Sequence, residues 1–140
     1  MLVCVTLALA GGGCASSAQP AFTPGREPRM IAVRNMSGRP AQSISIQEDR
    51  DPADGPRRMG AVSPVVANHT YAFVRPANAP PLPAKVRVTF SFQGTPPQTT
   101  VVDLREVAQQ STGDRNEAVF FELQPNGSVT VSLDHIQPSP

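Results

Sequence analysis

The chain has 140 residues, 39% of them apolar and 16% charged, and its formal net charge of +1 gives no global field to steer it onto nucleic acid or an anionic surface. That length has room for one domain; the first two to three dozen residues differ in character from the rest, so the folding unit is expected to be about 110 residues. Sixteen prolines and no tryptophan argue against long helices and against an aromatic sugar-binding platform, and fit strands joined by stiff loops.

Both cysteines, Cys4 and Cys14, lie in the leader, which leaves the folded part without a thiol for a bridge, a nucleophile or a metal. Arginine outnumbers lysine eleven to one. The arginines are scattered rather than clustered, so they read as the cation usage of a GC-rich genome, not as a binding stripe.

Leu2 to Ala10 is an apolar run of signal-peptide length, too short for the roughly 20 residues that a permanent membrane span needs. Gly11, Gly12 and Gly13 then lead into Cys14, and the whole resembles the lipobox of bacterial lipoproteins. The resemblance implies cleavage of residues 1–13 and lipidation of Cys14, whose sulfur receives a diacylglyceryl group. It also implies three acyl chains in all, a durable anchor at about 0.8 kcal/mol per buried methylene. Ala15 is not the aspartate associated with inner-membrane retention, so the implied address is the outer membrane, facing the periplasm.

Residues 14–28 are expected to be the lipidated cysteine and a flexible tether, because ASSAQPAFTPGREP mixes small, polar and Pro residues without periodicity. From Arg29 the period changes to two. Ile31 and Val33 share one face of a first strand, Ile44 and Ile46 one face of a second, and the turn residues Asn35 to Pro40 between them predict a hairpin.

MGAVSPVV is a Pro-broken strand candidate, and TYAFVRP a better one. KVRVTFSFQ alternates most clearly, with Val86, Val88, Phe90 and Phe92 on one face and Lys85, Arg87, Thr89, Ser91 and Gln93 on the other. TTVVDL follows the turn GTPPQ, and Arg105 to Gln110 is where a helical turn fits. EAVFFEL and SVTVSLD flank Pro125-Asn126-Gly127, the strongest short hairpin signal, with Val119, Phe121 and Leu123 opposing Val129, Val131 and Leu133. The tail is expected to fray beyond Ile136.

About seven alternating strands need a second sheet to bury them. The expected fold is therefore all-β: an immunoglobulin-like antiparallel β-sandwich over residues 29–137, preceded by a signal segment and a disordered tether.

Candidate chemistry is sparse. The acidic loop Glu48 to Gly55 fails the register of a calcium loop, because Ala53 stands where a third acid is required and Asp54-Gly55 reads as a turn. His69 and His135 lie far apart, with no cysteine in the domain to complete a zinc site. Hydrolase motifs are missing. Asp103, Glu106, Glu117, Glu122 and Asp134 are the carboxylates whose convergence in space would support acid-base catalysis, and solvated strand ends are the favoured reading. Three Asn-x-Ser/Thr triplets, at Asn35, Asn68 and Asn126, read as turn residues.

The stretches Val33 to Gly38, Lys85 to Phe90 and Val102 to Leu104 resemble small secreted or lipid-anchored β-sandwich proteins of proteobacteria with no assigned activity. No functional residues carry over. The expectation is a non-enzymatic envelope lipoprotein without cofactor or metal, bound to the membrane through its anchor and to an envelope protein through an edge strand or loop surface, with no nucleic-acid partner. The alternative is a small-ligand or glycan binder, or a hydrolase using the carboxylates above.

Overall fold

The computed structural model describes residues 20–23, 25–51, 53, 55 and 57–136. Residues 1–19, which include the expected signal segment and Cys14, lie outside the described residues, as do residues 137–140.

Among the described residues eight strands form: β1 (Met30–Asn35), β2 (Ala41–Glu48), β3 (Arg58–Val62), β4 (Thr70–Val74), β5 (Lys85–Phe92), β6 (Gln98–Asp103), β7 (Glu117–Leu123) and β8 (Val129–His135). A single turn of helix, α1 (Arg105–Ala108), separates β6 from β7. The strands make two four-stranded sheets, ordered β4-β1-β7-β8 and β3-β2-β5-β6. The all-β sandwich expected from the alternation is thus the architecture, with eight strands in place of about seven.

Three pairs of sequence neighbours form antiparallel hairpins, β2 with β3, β5 with β6 and β7 with β8. In the last, Val119 faces Leu133, Phe121 faces Val131 and Leu123 faces Val129, the register the alternation predicts. Gly127, at φ +83°, supplies the left-handed residue that closes this loop.

β1 and β2 do not form the expected hairpin. β1 pairs antiparallel with β4 and parallel with β7, while β2 sits in the other sheet between β3 and β5. One buried face per strand satisfies either arrangement, so alternation alone does not choose the partner. The loop chooses it: the Asn35 amide is fully buried and donates to the Val65 carbonyl, drawing the chain across from one sheet to the other. The parallel β1–β7 pair also departs from a purely antiparallel sandwich.

That pair is covered on both sides, as parallel strands usually are. Its inner face gives Ile31, Val33, Val119 and Phe121 to the main core, where they meet Ile44, Ile46, Val86, Val88 and Phe90 of the other sheet. On its outer face Ala32, Ala118 and Phe120 are buried beneath Met30 and Ile136, with the Arg34 guanidinium 4.4 Å over the Phe120 ring.

The sandwich takes in more of the chain than a boundary at Arg29 allows. Pro20 bridges to Pro83, the Ala21 N–H donates to the Leu82 carbonyl at 2.9 Å, and Phe22 is buried in the core at 3% exposure. A phenyl ring isolated in a low-complexity stretch carries no periodic signal, but its burial is favourable by about 2 kcal/mol.

The two long sides of the sandwich differ. On one, β6 and β8 touch across the sheets, and α1 packs against β8 with Val107 buried in the core. On the other, β3 and β4 are sheet edges and leave a cleft between them.

Candidate functional site

The cleft between β3 and β4 has a volume of about 400 Å³. Its floor is core: Ile31 of β1 and Leu82, each 1% exposed. Met59 on β3 and Phe73 on β4 form the facing walls, and Phe73 pairs with Ile31 in register. Gly60 lies against the same wall, its β-carbon position 3.4 Å from the Phe73 ring, an ordinary packing distance. The outer wall is the proline-punctuated stretch from Pro76 to Pro83.

The rim is cationic, with Arg57, Arg58 and Arg75 against the carboxylate of Glu48. Glu48 is spoken for, because Arg57 Nε lies 3.2 Å from its Oε2. Arg75 is held differently: Nη1 donates to the Pro28 carbonyl at 3.3 Å and Nη2 to the Pro80 carbonyl. Burial pulls its pKa below the ordinary value, and the Glu27 carboxylate pulls it partly back. It remains a cation. Beyond Arg75 lies a smaller recess of about 270 Å³, lined also by Glu27 and Arg29.

The β4 backbone completes the site. Arg75 N–H donates to the Arg29 carbonyl at 2.7 Å and Asn35 N–H to the His69 carbonyl at 3.1 Å, so odd-numbered residues turn their backbone groups towards β1. Thr70, Ala72 and Val74 turn theirs away, to the side where no strand of the sheet lies. Val74 is also the most exposed large apolar side chain among the described residues, at 74%.

The residues singled out in the sequence fall elsewhere. Cys14 lies outside the described residues. The five carboxylates do not converge, and four of them have separate partners. Asp103 meets Arg105 at 2.6 Å, Glu122 meets Arg34 at 2.9 Å, and Asp134 accepts from the His135 N–H. Glu106 is exposed in α1. Glu117, 3% exposed, accepts from the Ser111 hydroxyl at 2.6 Å and the Thr112 N–H at 3.2 Å, which ties down the loop before β7. Arg105 holds the Asp103 carboxyl down to about 2, mainly through its hydrogen bonds.

His69 Nδ1 is 3.1 Å from the Ala67 carbonyl, and His135 Nε2 is 3.5 Å from Asp114. Among the described residues no group of three or more His, Cys, Asp or Glu is placed to hold a metal ion. In the acidic loop Asp49 pairs with Arg87 at 2.8 Å and Asp51 accepts from the Ala53 N–H, while Pro52, Asp54 and Pro56 lie outside the described residues.

Met59, Gly60, Phe73, Arg75 and Leu82 were not marked as site residues by the sequence. The available signal was two short strands punctuated by Gly and Pro, which is how edge strands read. Compared with protein-family models, curated proteins and solved structures, the chain matches none.

Proposed function

We propose that this chain is a non-catalytic envelope lipoprotein, anchored through acylated Cys14 to the outer membrane on its periplasmic side, and that its domain binds an extended segment of another envelope protein at the β3/β4 side. One observation carries the reading: β4 is an edge strand whose outward backbone groups at Ala72 and Val74 border an apolar cleft. Added strands take affinity from main-chain hydrogen bonds and specificity from pockets for alternate side chains, and both parts are present here. On the opposite side β6 and β8 close on each other across the sheets.

The anchor supports the same face. Six residues from Cys14 to Pro20 span at most about 20 Å. Pro20 bridges to Pro83, which walls the cleft, so an acylated Cys14 brings this end of the domain close to the lipid. The partner is then a protein at the membrane surface.

A photo-crosslinking amino acid at position 74, in the anchored chain in its own envelope, tests the reading against the same group at position 101, which is exposed on β6. A discrete crosslinked protein from position 74 and none from position 101 is the expected result. No adduct at 74, or equal adducts at both, contradicts it. The cleft volume of about 400 Å³ also lies in the range of small-molecule sites and favours a small-ligand binder as the second reading.

A further inference from the structure

We infer that the segment bound at this edge carries a carboxylate side chain two residues from a bulky apolar one, the apolar group seated against Phe73 and the carboxylate on Arg75. The inference rests on the protein-binding reading above and names the chemistry of its partner.

Phe73 and Arg75 are two apart along β4 and its continuation, so they project to one face, the face that lines the cleft. Their own backbone groups point towards β1. A strand added beside β4 bonds instead to Ala72 and Val74, which leaves positions 73 and 75 as the non-hydrogen-bonded pairs, where cross-strand side chains approach most closely. Whatever stands opposite Phe73 enters a pocket floored by Ile31 and Leu82; what stands opposite Arg75 meets a guanidinium.

The charge balance selects the second group. Arg34, Arg57, Arg87 and Arg105 each close on a carboxylate within 3.2 Å. Arg75, half-buried, closes on two main-chain carbonyls, which takes two of its five N–H donors. A partly desolvated guanidinium is a strong site for a carboxylate, which it binds with short, charge-assisted hydrogen bonds. Arg58 at the same rim adds attraction, Glu48 is occupied by Arg57, and Glu27 acts on Arg75 only from the adjoining recess without closing an ion pair, so a cationic segment meets net repulsion in the cleft. In the commoner antiparallel pairing the segment reads acid-x-apolar from its N-terminus.

Three blocked pentapeptides test this on the full chain: acetyl-Thr-Glu-Thr-Phe-Thr-amide, its Lys-for-Glu analogue and its Ala-for-Phe analogue, followed by amide chemical shifts. The acidic aromatic peptide is expected to shift Ala72, Val74 and Arg75 and to bind at least about tenfold more tightly than the Lys analogue. That preference should fall at high salt, and the Ala analogue should bind weakly.

Arg75→Gln is expected to abolish the acid preference and Arg75→Lys to keep part of it. Because Arg75 also holds the Pro28 and Pro80 carbonyls, Arg58→Gln is the second variant, expected to weaken the preference while leaving those contacts in place. Equal or tighter binding of the Lys peptide, shifts confined to other surfaces, or no shift from any peptide at its solubility limit would overturn the inference. Sequencing the segment crosslinked at position 74 separates the two failures. A segment without the acid-apolar spacing overturns this inference and leaves the protein-binding reading standing, whereas no adduct removes that reading.

Discussion

Ser37 donates both its N–H and its hydroxyl to Asn35 Oδ1, at 3.1 and 2.6 Å, so a three-residue triplet that matches a glycosylation signal is a closed turn. Ser128 repeats the arrangement on Asn126 at 2.9 and 2.7 Å. Asn35 does more than Asn126, since its Nδ2 donates to Arg39 at 2.8 Å and to Val65 at 3.2 Å from a fully buried position.

Asn35→Ala is therefore expected to remove one of two donors from each carbonyl, since Val65 keeps the Ala41 N–H and Arg39 keeps the Ser37 hydroxyl, and the two lost bonds should cost about 1–3 kcal/mol. Asn35→Asp should cost more, because a carboxylate keeps the Ser37 bonds but faces those carbonyls with oxygen in place of N–H. Urea unfolding of both variants checks the order. Aspartate being the milder change would contradict the assigned amide orientation.

How much of this was legible in the sequence depended on what each residue leans on. β5 and the β7–β8 hairpin were readable because strong apolar residues alternate over seven or eight positions and Asn126-Gly127 marks the turn between the last pair. The partner of β1 was not, because Ile31 and Val33 bury the same face whichever strand lies beside them. The dispersal of the carboxylates was equally hidden: Glu122 finds Arg34 across 88 positions of sequence. The cleft is a relation between β3, β4 and the 76–83 stretch, and nothing in Phe73 or Arg75 taken alone announces it.

Phe22 sets where the domain begins. Phe22→Ala should cost about 3–5 kcal/mol, the usual range for emptying a buried phenyl site. A chain truncated to begin at Arg29 should lose at least as much, since it also gives up the Ala21–Leu82 hydrogen bond. One beginning at Pro20 should keep the stability of the longer chain. Equal urea midpoints for the two truncations would place Phe22 outside the core.

Asp103 and Arg105 give a pH signature. The folded carboxyl sits at about 2, below its ordinary 3.8, so the pair's stabilisation is complete above about pH 4 and fades as the pH falls towards 2. Both side chains are exposed, so the effect on unfolding should be small and weaker in salt. In Arg105→Gln the Asp103 carboxyl carbon, followed by NMR, should titrate nearer 3.8. An unchanged midpoint would mean that the contact is not held in solution.

The proposed anchor underlies the orientation proposed for the cleft and the class of partner proposed for it. The intact mass of the protein extracted from its own membranes decides that point. A chain that begins at Cys14 and carries the added mass of three acyl groups is the predicted result. A chain that retains residues 1–13 with an unmodified Cys14 thiol, and that washes off in salt, would contradict it.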